Sequence, residues 1–178
     1  MSTRLIELLR QKSVRTGSFT LASGKTSDFY VDVRQTSLHG EGSICIAEAL
    51  LERLHPDAIG VGGMTLGADP LASATVAVAT LRGKTLDAFL IRKQPKGHGV
   101  ERQVVGLGNF EAGAKVTVVE DTTTTGGSLL KAVEAAKEAG LNVIQLLTVV
   151  DREEGAREAI EAAGYTLDAI TTRSQLLG

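Results

Sequence analysis

This sequence has little of what marks several large classes of protein. Among its 178 residues there is one cysteine, Cys45, and no tryptophan, and aromatic residues make up 3%. A single cysteine excludes an internal disulfide framework and fits a reducing compartment, so we expect a cytoplasmic protein. So few aromatic side chains leave little surface for stacked bases, which argues against binding of single-stranded nucleic acid.

Long apolar runs and a strong net charge are also absent. No apolar run approaches the ~18 residues of a membrane-spanning helix, and the stretch MSTRLIELLRQK lacks the apolar core of a signal peptide. The formal net charge is -2 and the pI is about 5.9, which gives no sign of affinity for nucleic acid or membranes. The length suits a single domain over residues 1–178. From the charge and the short apolar runs we expect no nucleic-acid or membrane partner.

Longer and shorter apolar segments alternate along the chain. Helical spacing of apolar residues predicts helices at 2–12, 40–54, 66–83, 126–139 and 153–163. Shorter apolar runs predict strands at 19–25, 29–33, 55–63, 86–93, 115–121, 142–152 and 165–172. The central strands are apolar on both faces, which predicts an α/β fold with a mostly parallel central sheet flanked by helices. Such sheets bind ligands where their strands end, which singles out the loops at 62–67, 92–103, 120–128 and 151–154.

The stretch VVEDTTTTGGS at 118–128 joins a predicted strand to a predicted helix. The start of a helix offers unpaired backbone N–H groups and a partial positive charge. Glycines allow a ligand to approach the backbone, and hydroxyls add hydrogen-bond donors, so this turn suits a phosphate. The predicted phosphate-binding residues are Thr122, Thr123, Thr124, Thr125, Gly126, Gly127 and Ser128.

Two acids stand directly before this turn. Glu120 and Asp121 would repel a phosphate, but they would accept hydrogen bonds from a neighbouring diol or contact a metal. A pentose 5-phosphate carries both a phosphate and a diol. The Gly-Lys of a P-loop and the G-x-G-x-x-G of a dinucleotide site are both missing from the turn. A polar turn with a capping serine explains Ser128 and one glycine, but not two acids beside four threonines.

The turn resembles the phosphoribosyl-pyrophosphate (PRPP) motif of type I phosphoribosyltransferases. Three further stretches are similar to orotate phosphoribosyltransferases within that family. FTLASGKTSDFYVDVR at 19–34 is similar to their N-terminal substrate segment, and RKQPKGHG at 92–99 to their mobile catalytic loop. VVDREEG at 149–155 is similar to a strand end whose Asp-Arg pair lies near orotate. The resemblance covers nearly the whole chain, in the expected order.

This resemblance implies transfer of the phosphoribosyl group of PRPP to orotate, which gives orotidine 5′-monophosphate and pyrophosphate on the route to UMP. Glu120 and Asp121 would bind the ribose hydroxyls, and Asp121 counts among the catalytic residues. Arg152 would meet the orotate carboxylate, with Thr124 nearby. A planar guanidinium suits a carboxylate because it can bind both oxygens.

The resemblance also implies roles for residues outside the turn. Backbone around Tyr30 and Val31 would face the pyrimidine ring, and Lys25 belongs to the same substrate-binding set. The leaving pyrophosphate would be covered by Arg92, Lys93, Lys96 and His98, of which Arg92, Lys96 and His98 are the catalytic residues.

Quaternary structure and metal use follow from the same resemblance. The loop at 92–103 would reach into the neighbouring subunit's site, which implies a homodimer. The cofactor would be Mg²⁺, held mainly by PRPP oxygens and without a dedicated set of protein ligands. Residues 1–36 would form a small hood over the core.

Two departures and several alternatives accompany this interpretation. Ala22 and Leu66 stand where many relatives carry lysine, which weakens the prediction for pyrophosphate binding. A phosphoribosyltransferase for another base would keep the PRPP turn, but a neutral base would not explain Arg152. A PRPP-binding regulator that acts on nucleic acid would need a basic face. A subunit without activity is the remaining alternative.

Overall fold

The computed structural model describes residues 3–20, 26–94 and 103–178. The helices are α1 Thr3–Leu8, continued by a π-helical turn at Leu9–Ser13, α2 Arg34–Ser37, α3 Gly40–Arg53, α4 Ala68–Leu81, α5 Gly127–Glu138, α6 Ala156–Ala162 and α7 Arg173–Leu177. The strands are β1 Val14–Thr20, β2 Thr26–Val31, β3 Gly60–Met64, β4 Asp87–Ile91, β5 Val104–Val105, β6 Lys115–Thr123, β7 Asn142–Asp151 and β8 Leu167–Thr172. Within the described part of the chain, no helix is both long and apolar enough to cross a membrane.

The larger sheet has six strands in the order β5-β4-β3-β6-β7-β8. Strands β3, β4, β6, β7 and β8 run parallel, and only the short edge strand β5 is antiparallel to its neighbour. The predicted α/β fold with a mostly parallel sheet is therefore confirmed. The strand order changes direction between β3 and β6. Open α/β sheets bind ligands beyond the strand ends at such a switch point.

The two central strands, β3 and β6, are buried on both faces along most of their length, as their apolar sequences predicted. On β6, the neighbouring residues Val118 and Val119 pack into two different hydrophobic clusters, because successive side chains of a strand point to opposite faces. The Val118 cluster contains Leu129 of α5 and Ile160 of α6. The Val119 cluster contains residues of α3 and α4 and also Phe29 of β2. Helices thus cover both faces of the sheet.

Strands β1 and β2 form a separate two-stranded antiparallel sheet at the position predicted for the hood. Phe29 and Val31 of β2 are buried in the cluster that lies on one face of the large sheet. The predicted strand at 19–25 is only partly right. The observed strand begins at Val14 and ends at Thr20, and residues 21–25 lie outside the described residues.

Four short elements among the described residues were not predicted, and all are too short to show a period. One is the 3₁₀-helical turn at Leu107–Asn109, and the other three are helix α2, strand β5 and helix α7. Helix α7 has a local signal nonetheless, because Thr172 and Gln175 form a capping box at its start. The Thr172 hydroxyl accepts from the Gln175 N–H at 3.3 Å, and the Gln175 side chain accepts from the Thr172 N–H at 3.1 Å.

Candidate active site

A crevice of about 200 Å³ opens between the carboxyl ends of β3 and β6. Its lining residues are Arg34, Met64, Thr65, Leu66, Gly67, Lys93, Glu120, Asp121 and Ser128. The loop after β3 passes directly over one of the two acids: a Cβ added at Gly67 would lie 2.6 Å from Oδ1 of Asp121. A side chain at position 67 would therefore force the Asp121 carboxylate to move. Four of the predicted site residues, Lys93, Glu120, Asp121 and Ser128, meet in this crevice.

Burial changes the acidity of both carboxyl groups in the crevice. Loss of solvent raises the pKa of Glu120 from 4.5 to about 7, and the neighbouring charge of Asp121 acts in the same direction. The positive charge of Lys93 opposes this shift. Burial also raises the pKa of Asp121, against the backbone N–H of Thr122, which donates to Oδ1 at 2.8 Å. A ligand that supplies hydroxyl donors or positive charge would therefore stabilise the ionised forms of both carboxyl groups.

The predicted phosphate loop wraps the start of helix α5. Gly126 caps the helix with a φ of 81°, in the left-handed region that favours glycine. Thr125, Gly127 and Ser128 are exposed around it, and Thr124 is half-buried. Thr123, the last residue of β6, is only 1% exposed. Ser128, in the first turn of α5, lines the crevice, so the unpaired N–H groups of this turn lie beside it.

On the substrate role that the motif resemblance implies, replacing Gly126 with alanine is expected to raise the KM for PRPP about tenfold. A left-handed φ costs an alanine about 1–2 kcal/mol, and the new Cβ would lie 3.3 Å from the carbonyl oxygen of Ala156. Steady-state kinetics and thermal unfolding measure the two effects. Gly140→Ala is the matched control, because Gly140 has a φ of 86° and nothing within 4 Å of an added Cβ. An equal rise in KM in the control would refute a specific role for the Gly126 turn.

Arg152 lies between the PRPP turn and the hood. Its backbone N–H donates to the carbonyl oxygen of Thr123 at 2.9 Å, which joins the loop after β7 to the end of β6. Its guanidinium carbon lies 6.0 Å from the ring centroid of Phe29, and Nη2 is 2.7 Å from Oε1 of Glu154. The side chain is 11% exposed. Its Nε is buried and has no hydrogen-bond acceptor among the described residues.

The predicted pyrimidine segment runs along β2, next to Arg152. Phe29 is fully buried, Val31 is 8% exposed and Tyr30 is 38% exposed. The alternation places the Tyr30 side chain on the outer face, while Phe29 carries the contact with Arg152. Lys25, which was predicted to join this set, lies outside the described residues.

The predicted catalytic loop leaves the edge of the sheet between β4 and β5. These strands pair as a hairpin, with Ile91 opposite Val104. The Arg92 N–H donates to the carbonyl oxygen of Gln103 at 2.9 Å, which closes the base of the loop. Lys96 and His98 lie outside the described residues, so their predicted roles remain predictions.

Comparison with known proteins identifies the family. The phosphoribosyl transferase domain model matches residues 59–171. An orotate phosphoribosyltransferase of Rhodopseudomonas palustris (strain TIE-1) is 45% identical over 177 residues, which cover 98% of this chain and 95% of the relative. This chain belongs to the orotate phosphoribosyltransferase family. The resemblance drawn from the sequence motifs is therefore confirmed, and the chain is a phosphoribosyltransferase.

Solved structures agree with this membership. An orotate phosphoribosyltransferase of Mycobacterium tuberculosis H37Rv in complex with Fe(III) dicitrate is 43% identical, with a TM-score of 0.83 and coverage of 97% of each chain. The same mycobacterial enzyme in complex with PRPP is 38% identical, with a TM-score of 0.80 and coverage of 98% of each chain. These structures match nearly the whole chain, including the N-terminal sheet, whereas the domain model begins only at residue 59.

Two of the crevice-lining residues that were not named individually as predicted site residues bear directly on Asp121. Arg34 lines the crevice, and its charge opposes the rise in the pKa of Asp121. It is held by Asp32, whose Oδ1 accepts from Nε of Arg34 at 2.8 Å. Gly67 is the second, through its close approach to Asp121. Arg34 closes the quoted stretch FYVDVR, so a charge at the end of that segment was the available signal.

Proposed function

We propose that this member of the family transfers the phosphoribosyl group of PRPP to orotate, releasing pyrophosphate and forming orotidine 5′-monophosphate for UMP synthesis. The observation that carries this proposal is the buried Nε of Arg152, which has no acceptor among the described residues. A buried donor of this kind calls for an acceptor. The carboxylate of orotate, bound beside the PRPP turn, supplies one.

On the PRPP side, Glu120 and Asp121 accept hydrogen bonds from the 2- and 3-hydroxyls of the ribose. The 5-phosphate binds the N–H groups at the start of α5, together with the loop at 122–128. Support comes from the left-handed cap at Gly126 and from the exposure of Thr125 and Ser128. Because its side chain is buried, Thr123 would contribute by supporting the loop from beneath.

Catalysis rests on positioning and on charge stabilisation. The bond between C1 and pyrophosphate breaks while the bond from C1 to N1 of orotate forms, and the proton from N1 passes to the released pyrophosphate or to solvent. The transition state resembles an oxocarbenium ion, so no covalent nucleophile is required. Arg92, Lys93, Lys96 and His98 stabilise the charge that develops on the pyrophosphate. Lys93 lines the same crevice as Glu120 and its charge acts to lower the pKa of Glu120, which supports a role for this cation.

The two crevice carboxyls also fit a Mg²⁺ ion carried by PRPP. Their pKa values are raised by burial, so a nearby cation would favour their ionised forms. Among the described residues, no three His, Cys, Asp or Glu side chains come together as a metal-binding group. When bound, Mg²⁺ would neutralise part of the pyrophosphate charge. PRPP oxygens would supply most of its ligands, with the crevice carboxylates of Glu120 and Asp121 beside it.

The assembly and location follow the same proposal. The protein works as a homodimer in which the loop at 92–103 covers the partner's site. It resides in the cytoplasm, and residues 1–178 form one domain whose hood is residues 1–36. The burial of Phe29 and Val31 against the large sheet supports a hood that packs on the core.

PRPP binding is expected to weaken as the pH falls below 7, by about tenfold per pH unit from Glu120 alone. The pKa of Glu120 is about 7, so below that value its carboxyl must lose a proton before it can accept from the ribose hydroxyls. Titration calorimetry from pH 6 to 8 measures the effect. Glu120→Gln should bind PRPP more weakly at pH 8 and lack this part of the pH dependence. An unchanged pH profile in the variant would contradict the assignment.

The same group has the opposite effect on stability. The pKa of Glu120 in the folded protein, about 7, lies above its ordinary value of 4.5, so the unfolded chain binds fewer protons between these values. The stabilisation from the protonated carboxyl is complete below pH 4.5 and is lost as the pH rises through about 7. Urea unfolding at pH 5 and pH 8 should therefore show a larger loss of stability in the wild type than in Glu120→Gln.

The function itself is tested by mixing the protein with PRPP, Mg²⁺ and one base, and by following the loss of orotate absorbance. Uracil, adenine and hypoxanthine are assayed in parallel, with Lys96→Ala as the loop variant. Conversion of orotate alone, lost in the variant, is the expected result. Conversion of a neutral base instead would overturn the role of Arg152. Binding of PRPP without any conversion would point to a regulator or an inactive subunit.

A further inference from the structure

The loop that carries Arg152 is anchored to the C-terminal helix by the next residue, Glu153. Oε2 of Glu153 accepts two hydrogen bonds from Ser174 at the start of α7, one from the backbone N–H at 2.8 Å and one from the hydroxyl at 2.6 Å. The backbone N–H of Glu153 donates to Oδ1 of Asp151 at 2.9 Å. These contacts hold Glu153 on both its backbone and its side chain.

The backbone of Glu153 is strained. Its φ of 59° lies in the left-handed region, and among the described residues it is the one non-glycine position there. Such a conformation costs about 1–2 kcal/mol for a residue with a side chain. Glycine would remove the strain, but it would also remove the bonds to Ser174. The presence of glutamate therefore points to a purpose for the anchor beyond the turn itself.

Both ends of this anchor are themselves fixed. Asp151 is fully buried, and its Oδ2 accepts from Nε of Arg157 at 2.9 Å. Helix α7 is held at its far end by Arg10, whose guanidinium donates to the carbonyl oxygens of Leu176 and Gln175 at 2.9 Å each. Glu153 thus connects a rigid strand end to a helix that is tied to the N-terminal segment.

The same helix reaches the ring against which Arg152 lies. The guanidinium carbon of Arg173, the first residue of α7, is 5.6 Å from the ring centroid of Phe29, and that of Arg152 is 6.0 Å from it. A shift of α7 would therefore disturb Phe29 and, through Glu153, the backbone of Arg152. The hydrogen bonds from Ser174 also lower the pKa of Glu153, so its carboxylate stays ionised at neutral pH.

We propose that Glu153 is a positioning residue for orotate selection, which uses helix α7 as a support to hold Arg152 in place for the carboxylate of the base. This inference rests on the proposed function, because it needs orotate as the ligand of Arg152. Glu153 itself does not touch substrate. Its carboxylate is directed to Ser174, while Glu154 contacts the Arg152 guanidinium.

The test compares Glu153→Gly, Glu153→Gln and wild type in the full-length protein. The glycine variant removes the anchor and relieves the strain, and it should raise the KM for orotate about tenfold, the effect of roughly 1.4 kcal/mol of lost hydrogen bonding. The KM for PRPP should change less than about twofold, because the PRPP turn keeps its own contacts. The preference for orotate over uracil should fall. Glutamine keeps an acceptor for the Ser174 N–H and should restore most of the loss.

Thermal unfolding of each variant separates positioning from general damage. A rise in the orotate KM at an unchanged Tm supports the proposal. An unchanged orotate KM in Glu153→Gly, or equal rises for orotate and PRPP, would overturn it. If the wild type does not convert orotate at all, the proposed function fails. If the wild type converts orotate and Glu153→Gly behaves like it, only the positioning role fails.

Discussion

Arg152→Ala is expected to lower kcat/KM for orotate by about 10²–10³-fold, which corresponds to about 3–4 kcal/mol. The side chain is 11% exposed and its Nε is buried, so water replaces it poorly as a partner for the base carboxylate. PRPP affinity should change little, since the Arg152 guanidinium lies against Phe29 and Glu154. Steady-state kinetics with orotate, together with calorimetry of PRPP binding, measure both parts.

Two further variants sharpen this result. Arg152→Lys keeps the charge but loses the planar fork, so it should recover only part of the activity. Arg82→Ala is the control, because Arg82 is an exposed arginine paired with Glu48 on the helical surface. It should behave like the wild type. If Arg152→Ala lost PRPP binding as severely as orotate turnover, the assignment of Arg152 to the base would be wrong.

Asp121→Asn is expected to reduce kcat/KM for PRPP by about 10–100-fold, the effect of roughly 1.5–3 kcal/mol for hydrogen bonds to a charged group. The substitution keeps the size of the side chain, and Oδ1 can still accept from the Thr122 N–H. The fold should therefore persist while the acceptor for a ribose hydroxyl loses its charge. Initial rates over a range of PRPP concentrations measure the loss.

The control for Asp121 is a surface carboxylate. Asp57→Asn breaks an exposed ion pair in which the Lys115 ammonium lies 2.7 Å from Oδ2, and it should leave the kinetics unchanged. The near contact of Gly67 with Asp121 gives an independent check. Gly67→Ala should displace the carboxylate and reproduce much of the Asp121→Asn defect. Normal kinetics in both site variants would remove Asp121 from the proposed mechanism.

Most of the large sheet could be predicted because its strands carry their own signal. Strands β6 and β7 are nearly continuous apolar runs, and helix α5 starts at a pair of glycines. Strand β1 was placed too late in the chain, since VRTGSFT alternates weakly and its extent depends on pairing with β2. The two-residue strand β5 exists only because β4 lies beside it.

Part of the candidate site could likewise be predicted from the sequence, and part of it could not. The residue types of the PRPP turn predicted a phosphate and a diol, and Glu120 and Asp121 do line the crevice. The burial of Thr123 could not be read from four identical threonines, because it depends on where β6 ends. Arg34 and Gly67 lie in segments that the sequence singled out, at 19–34 and 62–67, but their contact with the surroundings of Asp121 depends on how these distant segments fold together.

The sequence by itself determined the order of the longer helices and strands and the chemistry of the turn at 118–128, because apolar spacing and residue type act locally. Only the tertiary structure decided which loops meet. Strand β3 lies beside β6 although β4 and β5 separate them in the chain. That arrangement brings Gly67 over Asp121 and buries both acids, which raises the pKa of Glu120 to about 7. Burial and strand order depend on contacts between distant segments, so no local pattern contains them.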